Sequence, residues 1–307
     1  MSTTRREFLG RAAALAAASL SAAGSLPGAS EPAARIRLGS QTNAWGVPIT
    51  GYSHLMHILD MLAQLGYQGF ETNFKTVAPF AERATDLGRA FEARHIRFVA
   101  PHNGSTLYDK NTAAAEIEGF RRTAAISAQM GAIYFIVSGR RLPHSAGKLD
   151  QDAVSVWTDS LNQLGRVVKQ EGLKLCYHNH SQEFLDHPSQ MSFFFRGTDP
   201  ELVWLNFDDG HAYGLISSVA EFSAEHFRRI AIYHFKDMKH GAGGRVVETA
   251  MGAGQVNLKG MVAPLIHSGW SGWLEAEEDF AYPRVIDDPE GVLRQWITYT
   301  RGLITPR

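Results

Sequence analysis

The stretch KLCYHNHSQEF, residues 174–184, decides how the chain is interpreted. It begins with a short apolar run, Lys174–His178, and then turns polar. A longer amphipathic segment, Asp152–Glu171, precedes it and is followed by Gly172, as the end of a helix often is. A helix, a glycine and a short strand that ends in polar residues together predict one repeat of a parallel α/β fold.

The same unit recurs along the chain from Ile36 onward. Segments with apolar residues three and four positions apart predict helices, of which the clearest are His54–Leu65, Thr112–Met130 and Asp152–Glu171, ending near Gly66, Gly131 and Gly172. Eight strands are predicted: Ile36–Ser40, Gly69–Thr72, Ile96–Pro101, Ile133–Val137, Lys174–His178, Val203–Asp208, Ile230–Phe235 and Gly272–Glu277.

Eight strands alternating with helices predict an α/β protein built as a single (β/α)8 TIM barrel over residues 34–307. About 270 residues remain for it after the N-terminal segment, close to the roughly 250 of a typical barrel. A doubly wound open sheet is the alternative. It is disfavoured because no G-x-G-x-x-G follows the first strand and because eight repeats exceed its usual number.

Composition excludes several classes of protein. The chain is 44% hydrophobic and 20% charged, which is typical of a folded soluble protein and not of a disordered chain or a coiled coil. Its formal net charge is -1, and no basic stripe stands out, so nucleic acid is not an expected partner. The single cysteine, Cys176, excludes an intramolecular disulfide.

Residues 1–33 are predicted to be a twin-arginine signal peptide and linker. Arg5 and Arg6 precede Phe8 and Leu9, and a run of small apolar residues follows. The run is too short for a spanning helix, so no stable membrane span is expected after removal of the signal. The alternative is an amphipathic N-terminal helix. The signal predicts a periplasmic or otherwise exported protein.

Unusual polar residues collect where the predicted strands end, which is where a barrel of this kind carries its catalytic groups. They are Glu71, Thr72 and Asn73, then His102 and Asn103, His178, Asn179 and His180 with Glu183, Asp208–His211, His234–Asp237, and finally Glu275 and Glu277–Asp279. Any one of them alone is more often a hydrogen-bonding or helix-capping residue than a ligand. Their number favours a shared site.

Four of these residues are predicted to bind a metal ion. Side chains at similar heights on four successive strands converge near the barrel axis, which brings together His178, Asp208, His234 and Glu277. Two imidazoles and two carboxylates without a thiolate suit one divalent ion such as Mn, Co, Zn, Ni, Fe or Mg. A polar cluster without metal is the alternative. Glu275 shares strand parity with Glu277, so either glutamate is a candidate ligand.

Five motifs in order resemble the xylose isomerase-like TIM-barrel superfamily of sugar and sugar-phosphate isomerases and epimerases. They are Tyr177–Phe184, Asp208–His211, His234–Asp237, Gly252–Val256 and Trp273–Asp279. The resemblance covers nearly the whole chain after residue 33. It implies a metal held by Glu, Asp, His and Glu from the last four strands, with the two glutamates also moving protons.

His178 departs from that pattern, because it stands where the epimerases have the first glutamate. A metal-bound imidazole nitrogen has no free lone pair, so the two-glutamate relay is not expected to run here unchanged. By the same resemblance, His211 is a substrate-binding histidine and Lys236 belongs to a recurrent His-x-Lys-Asp motif. The apurinic endonuclease branch is disfavoured, because Met238–Ala242 lacks its Asp-x-His pair.

The expected chemistry is removal of a proton next to a metal-polarised sugar carbonyl, giving a metal-stabilised enediolate. Base candidates are His102, Glu71, His180 and Glu183, with Lys236 polarising or orienting the substrate and Glu183 as an additional candidate ligand. Substrate-binding candidates are His211, Asn103, Trp45 and Tyr108; for the two aromatic rings, stacking on a sugar competes with ordinary core packing.

These residues predict a divalent-metal-dependent sugar isomerase or epimerase acting on a carbohydrate or keto-sugar. The alternatives are a 3-keto-glycoside lyase or dehydratase using the same intermediate, and a non-catalytic exported sugar-binding protein. The expected partners are a small-molecule sugar or keto-glycoside and an oxidoreductase that supplies the keto-sugar.

Overall fold

A computed structural model describes residues 35–279 and 286–305 of the chain. The predicted signal peptide lies outside the described residues. Twelve strands are described: β1 Arg35–Gln41, β2 Gly69–Asn73, β3 Arg97–Gly104, β4 Tyr134–Ser138, β5 His144–Ser145, β6 Lys148–Leu149, β7 Lys174–His178, β8 Val203–Asp208, β9 Ile230–His234, β10 Asp237–His240, β11 Val246–Thr249 and β12 Ser271–Ala276.

Eight of these strands close into a parallel barrel in the order β1-β12-β9-β8-β7-β4-β3-β2. All eight predicted strands are confirmed, and their bounds shift by no more than a few residues. The largest shift is in β3, which continues to Gly104 and so carries His102 inside the strand. The barrel closes through pairing of β1 with both β2 and β12.

The α-helices of the described residues surround the barrel or follow its strands. They are α1 Tyr52–Leu65, α2 Phe74–Val77, α3 Ala84–Glu92, α4 Ala113–Gln129, α5 Gln151–Gln170, α6 Gln190–Gly197, α7 Asp209–Ala212, α8 Val219–His226, α9 Leu258–His267 and α10 Pro289–Ile304. Short 3-10 turns lie at Thr42–Ala44, Ala78–Arg83, Ser181–Phe184, Phe227–Arg229 and Ala242–Gly244. None of these helices is long and apolar enough to span a membrane.

The predicted helix ends are confirmed by backbone geometry. Gly66 caps α1 with a φ of 87°, and Gly131 and Gly172 have φ values of 86° and 80° after α4 and α5. A positive φ is accessible to glycine without the steric penalty that a Cβ atom brings. Each helix therefore stops where the next buried strand has to begin.

Apolar side chains form two cores. The larger one lies between the strands and the helices and contains, for example, Tyr177 packed on Trp157 of α5. The smaller one fills the inside of the barrel and consists of Val99, Ala100, Tyr134, Ile136, Cys176, Ala231, Ile232 and Trp273. Because side chains alternate along a strand, Trp273 shares the inner face with positions 275 and 277. The inner core thus forms the floor beneath the polar strand ends.

Two short antiparallel hairpins were not predicted. β5 pairs with β6 after β4, and β10 pairs with β11 after β9. Beside the second hairpin, the motifs His234–Asp237 and Gly252–Val256 contact each other. Asp237 accepts hydrogen bonds from the backbone N–H groups of Gly252 and Gly254, at 2.9 and 2.8 Å, and Gly254 has no room for a side chain against that carboxylate.

Candidate active site

Four side chains from successive strand ends converge at the carboxyl end of the barrel. His178 ends β7, Asp208 ends β8, His234 ends β9 and Glu277 follows β12. One ligand atom from each lies within 4.8 Å of the others, and all four residues are buried. We call these four residues the ligand set. The convergence predicted from strand alternation is present in the structure.

The ligand set fits a divalent ion. Each member has one buried atom that makes no hydrogen bond among the described residues: His178 Nδ1, Asp208 Oδ2, His234 Nδ1 and Glu277 Oε2. His234 Nδ1 lies 2.8 Å from Glu277 Oε2 without hydrogen-bond geometry, and the two carboxylate oxygens each lie 3.0 Å from the Lys236 ammonium. Buried polar atoms are rarely left unpartnered. Two nitrogens and two carboxylate oxygens suit a first-row divalent ion, which would satisfy all four.

Neighbouring residues fix the orientation of these side chains. The Asn179 amide spans β7 and β8, donating to the Asp208 carbonyl at 2.9 Å and accepting from its N–H at 3.0 Å. Asn43 Nδ2 donates to Glu277 Oε1 at 3.0 Å. Outer hydrogen bonds of this kind orient metal ligands and tune their affinity.

Lys236 is buried among carboxylates. Its Nζ lies 3.0 Å from each of Asp208 Oδ2, Glu277 Oε2 and Asp279 Oδ2. Burial alone would lower the pKa of Lys236, but the charges of Asp208 and Glu277 outweigh it and raise the pKa well above its ordinary value. The ammonium group therefore stays charged and balances the acidic side of the site.

Two further glutamates, Glu71 on β2 and Glu275 on β12, lie deeper inside the barrel than the ligand set. Glu71 Oε1 lies 2.8 Å from His102 Nδ1, and Glu71 Oε2 lies 2.8 Å from His234 Nε2. Burial opposes ionisation, yet the charge of His234 and the hydrogen bonds from both histidines lower the pKa of Glu71 to about 2.

The structure separates Glu275 from Glu277, which the sequence left as alternatives. Burial and the charge of Glu71 raise the pKa of Glu275 well above its ordinary value, which favours its protonated form. Burial also acts on Glu277, but His234 and Lys236 outweigh it and lower the pKa of Glu277. Glu277 belongs to the ligand set, whereas Glu275 groups with Glu71 and His234.

A cavity of about 590 Å³ opens above the ligand set. The lining residues are Gln41, Asn43, Val47, Asn73, Phe74, Lys75, His102, Asn103, Gly104, Phe120, Ser138, His178, His180, His211, Glu277 and Asp279. Nine of these sixteen residues carry an amide, hydroxyl or imidazole group. The volume of the cavity and its convergent polar groups are typical of a small-molecule site.

Of the five catalytic candidates, His102 and His180 line this cavity, and so do two substrate-binding candidates, His211 and Asn103. The histidine rings form a row with His178. Ring centroids lie 4.9 Å apart for His102 and His178, 4.8 Å for His178 and His180, and 5.1 Å for His180 and His211. Burial and the neighbouring His211 lower the pKa of His180 to about 3, so its ring is neutral.

The other three catalytic candidates do not line the cavity. Glu71 and Lys236 lie beneath it, engaged as described above. Glu183 is fully buried and accepts hydrogen bonds from Tyr177 Oη and the His180 N–H, both at 2.8 Å. It closes the 3-10 turn after β7, and burial raises its pKa to about 7. Glu183 is placed to hold this turn, away from both substrate and ligand set.

The two aromatic substrate-binding candidates also lie away from the cavity. Trp45 is buried in the outer core, and Tyr108 packs partly buried against the same core. Their apolar area is used for packing, the commoner role of such rings. The positions of Trp45 and Tyr108 therefore do not support stacking on a sugar.

The sequence analysis missed several lining residues. Gln41 and Asn43 follow β1, where Gln-Thr-Asn is a polar strand end like those that were recognised. The sequence pattern of a polar strand end could therefore have identified Gln41 and Asn43. Asp279 was noted only as part of a strand ending, and its contact with Lys236 depends on side-chain positions that spacing alone does not give.

Comparison with known proteins assigns the chain to a family. Residues 59–300 match the xylose isomerase-like TIM barrel family, and the chain belongs to that family. A curated relative, inosose dehydratase from Bacillus licheniformis, is 26% identical over 79% of this chain and 91% of its own length.

Two solved structures share the fold at low sequence identity. D-allulose 3-epimerase from Methylomonas sp. has a TM-score of 0.70 at 12% identity, covering 88% of this chain and 98% of its own. The IolI protein with a bound zinc atom has a TM-score of 0.66 at 17% identity, covering 87% and 98%.

Proposed function

We propose that this chain is a divalent-metal-dependent enzyme of the sugar isomerase, epimerase and lyase type, acting on a neutral keto-sugar or keto-glycoside. The carrying observation is the ligand set: four buried side chains, each with an atom that makes no hydrogen bond among the described residues, converge beneath the cavity. The name of the Bacillus licheniformis relative and the zinc in the IolI structure support this assignment.

His178, Asp208, His234 and Glu277 would hold the ion, whose chemistry is to polarise a substrate carbonyl and so acidify the adjacent C–H bond. The protein supplies the base. His102 is the best placed, because it lines the cavity and is anchored from below by Glu71. The neutral His180 ring and the Asn43 and Asn103 amides offer hydrogen bonds to hydroxyl groups of a sugar.

A neutral substrate is favoured over a phosphate ester by the charges at the cavity. Lys75 and Lys236 are the two lysines near it, and no arginine is among its lining residues. Lys75 is exposed, and Lys236 is matched by three carboxylates. Phosphate sites usually concentrate cationic groups or helix N-termini.

Dehydration is favoured over epimerisation by the residue at position 178. An epimerisation needs proton donors and acceptors on both faces of the reacting carbon, and the resemblance places a carboxylate where this chain has His178. Elimination needs one base and a leaving hydroxyl group. The name of the curated relative, inosose dehydratase, agrees with this outcome.

The test starts with metal content in matched variants. Asp208→Asn removes a ligand, whereas Asp209→Asn changes an adjacent buried carboxyl group outside the ligand set, whose pKa is raised by burial and by Asp208. We expect about one equivalent of divalent metal in the parent and in Asp209→Asn, and little in Asp208→Asn. Metal-free parent protein that is folded would contradict the proposal.

Turnover is then measured in D2O with a keto-inositol, a 3-keto-glucoside and a ketohexose. Loss of one water from a keto-substrate identifies the dehydratase. Deuterium incorporation next to the carbonyl with a change of configuration identifies the epimerase. Binding without exchange or turnover on any of the three would favour the sugar-binding protein instead.

Export is part of the proposal. Arg5 and Arg6 with the apolar run behind them support a twin-arginine signal, and an exported enzyme would need an oxidoreductase to supply its keto-substrate. Replacing both arginines by lysine should retain a fused reporter in the cytoplasm. A reporter exported equally well by the doubly substituted segment would contradict this signal.

A further inference from the structure

Glu71 connects two histidines that have different tasks. Its two oxygens lie 2.8 Å from His102 Nδ1 and 2.8 Å from His234 Nε2. The carboxylate is fully buried and is not among the residues that line the cavity. A carboxylate whose oxygens both face imidazole nitrogens, and which substrate does not reach, is placed to orient those rings.

The contact with His102 selects its tautomer. A carboxylate accepts hydrogen bonds, so His102 carries its proton on Nδ1 and keeps the lone pair on Nε2. Among residues 35–279 and 286–305, none hydrogen-bonds to His102 Nε2, and the ring lines the cavity. His102 thus presents a basic nitrogen to the space above the ligand set.

The contact with His234 fixes which of its ring nitrogens faces the ligand set. Nε2 faces Glu71, so Nδ1, which lies 2.8 Å from Glu277 Oε2, is the nitrogen that would bind an ion. Asn206 Nδ2 also lies 3.0 Å from His234 Nε2, while Asn206 Oδ1 has no partner among the described residues. The nitrogen and oxygen of a side-chain amide are assigned from their hydrogen-bond partners. Exchanging the two atoms of Asn206 places its oxygen toward the Nε2–H group of His234, where it can accept a hydrogen bond.

We infer that Glu71 is a positioning residue that sets the tautomers of the base His102 and of the metal ligand His234 at once. The inference rests on the proposed function and extends it, because it couples the base to the metal site through one carboxylate. Glu71 itself takes no proton from the substrate.

Glu71 supports a proton transfer from the substrate to His102. The C–H bond next to the carbonyl breaks, its proton goes to His102 Nε2, and its electron pair moves toward the carbonyl oxygen. Glu71 stabilises the resulting imidazolium without becoming protonated, as the carboxylate of a catalytic triad does. When a β-hydroxyl leaves, the same proton departs with it as water, and His102 returns to its starting state.

The first test needs no substrate. In the parent protein labelled with 15N-histidine, two-bond proton–nitrogen spectra report which ring nitrogen carries the proton, and His102→Ala assigns the signal. We expect His102 as the Nδ1–H tautomer. An Nε2–H tautomer would overturn the inference.

The second test uses Co²⁺ alone as the probe. Titration of apo-protein followed by visible absorption should show an affinity about 10- to 100-fold lower for Glu71→Gln than for the parent, as expected for an outer-shell partner. His102→Ala should bind Co²⁺ like the parent. Unchanged affinity in a folded Glu71→Gln would overturn the role toward His234.

The third test separates binding from catalysis at saturating Co²⁺. Glu71→Gln should lower kcat with little change in KM, and it should add little to the loss already caused by His102→Ala. Fully additive losses would mean that the two residues act independently. If the parent neither binds Co²⁺ nor turns over any keto-substrate, the proposed function fails; if it does both and only these Glu71 effects are missing, the positioning role alone fails.

Discussion

Glu275 and Glu277 stand two residues apart on the same face of one strand end, yet they differ in almost every property that matters for a ligand. Glu277 reaches the cavity, contacts His234 and Lys236, and has a lowered pKa. Glu275 lies below it against Gly39 and Glu71 with a raised pKa. Environments that drive the pKa values of paired carboxyl groups apart give them separate roles.

The difference follows from the cations within reach. Near Glu277 stand the Lys236 ammonium and the His234 ring, which compensate a buried negative charge. Near Glu275 stand the charge of Glu71, which raises its pKa, and His234 Nε2 at 3.9 Å, which already contacts Glu71 at 2.8 Å. The protonated form is thus favoured for Glu275, and the ionised form, which can bind a metal, is favoured for Glu277.

The largest contrast is expected in metal affinity. Glu277→Gln should weaken Co²⁺ binding more than about 100-fold, beyond the range typical of outer-shell partners. Glu275→Gln replaces a carboxyl group outside the ligand set by an amide of the same shape and should change the affinity only a few-fold. Absorption titration of the two apo-variants measures this. Equal losses in both variants would remove the distinction between the two glutamates.

The next contrast is in acid stability of the metal-free protein. The folded-state pKa of Glu71, about 2, lies below the ordinary value of 4.5, so its stabilising contribution is present above pH 4.5 and is lost as the pH falls toward 2. At 1.36 kcal/mol per pKa unit the loss is on the order of 3 kcal/mol.

Urea unfolding between pH 2.5 and 5 measures this loss in the parent and in Glu71→Gln. The free energy of unfolding should fall less steeply on acidification in the variant, because the titrating group is gone. Glu183 is expected to affect stability in the opposite direction. Because its pKa is raised to about 7 in the folded state, its contribution to the free energy of unfolding should decline as the pH rises from 4.5 to 7. Parallel curves for parent and Glu71→Gln would contradict the assignment of Glu71.

A smaller effect is expected from Gly39→Ala. A Cβ atom at this position would lie 2.5 Å from Glu275 Oε1, so Glu275 would have to move. Overpacking of this kind destabilises by about 1–3 kcal/mol. Gly119→Ala on α4 is the control, because its Cβ atom would have no neighbour within 4 Å. Thermal unfolding of both variants should show a loss for position 39 and none for position 119.

The smallest effect is expected from Lys75→Ala. Lys75 lines the cavity but is exposed, and a neutral substrate gives it no charge to bind. We expect kcat/KM on a keto-sugar to change by less than about fivefold, since an exposed charged contact contributes less than about 1 kcal/mol. A large rise in KM would point to an anionic substrate.

The barrel and the ligand set could be predicted from the sequence because both depend on short-range patterns. Short apolar runs that alternate with longer amphipathic segments locate β7 and β8, and polar residues that end those strands identify His178 and Asp208. The separation of Glu275 from Glu277 could not be predicted, since both have the same strand parity. It depends on which residues of β2 and β9 lie opposite them.

Other roles were out of reach for the same reason. Glu183 and Lys236 were catalytic candidates because of residue type and position. Glu183 is instead held by Tyr177 and by His180 of its own turn, whereas the partners of Lys236 come from the ends of β8 and β12. Glu71 was a base candidate, and its bridge between His102 and His234 joins β2, β3 and β9. Side-chain registers across three strands are set by the closed barrel and are not visible in local spacing.

The most direct test of the central claim is a crystal structure of the Co²⁺-loaded protein with an anomalous difference map. The account predicts one strong peak bounded by His178, Asp208, His234 and Glu277, with Glu71 and Glu275 outside the coordination shell. A peak held instead by Glu71, His234 and Glu275, or by His178, His180 and His211, would contradict it.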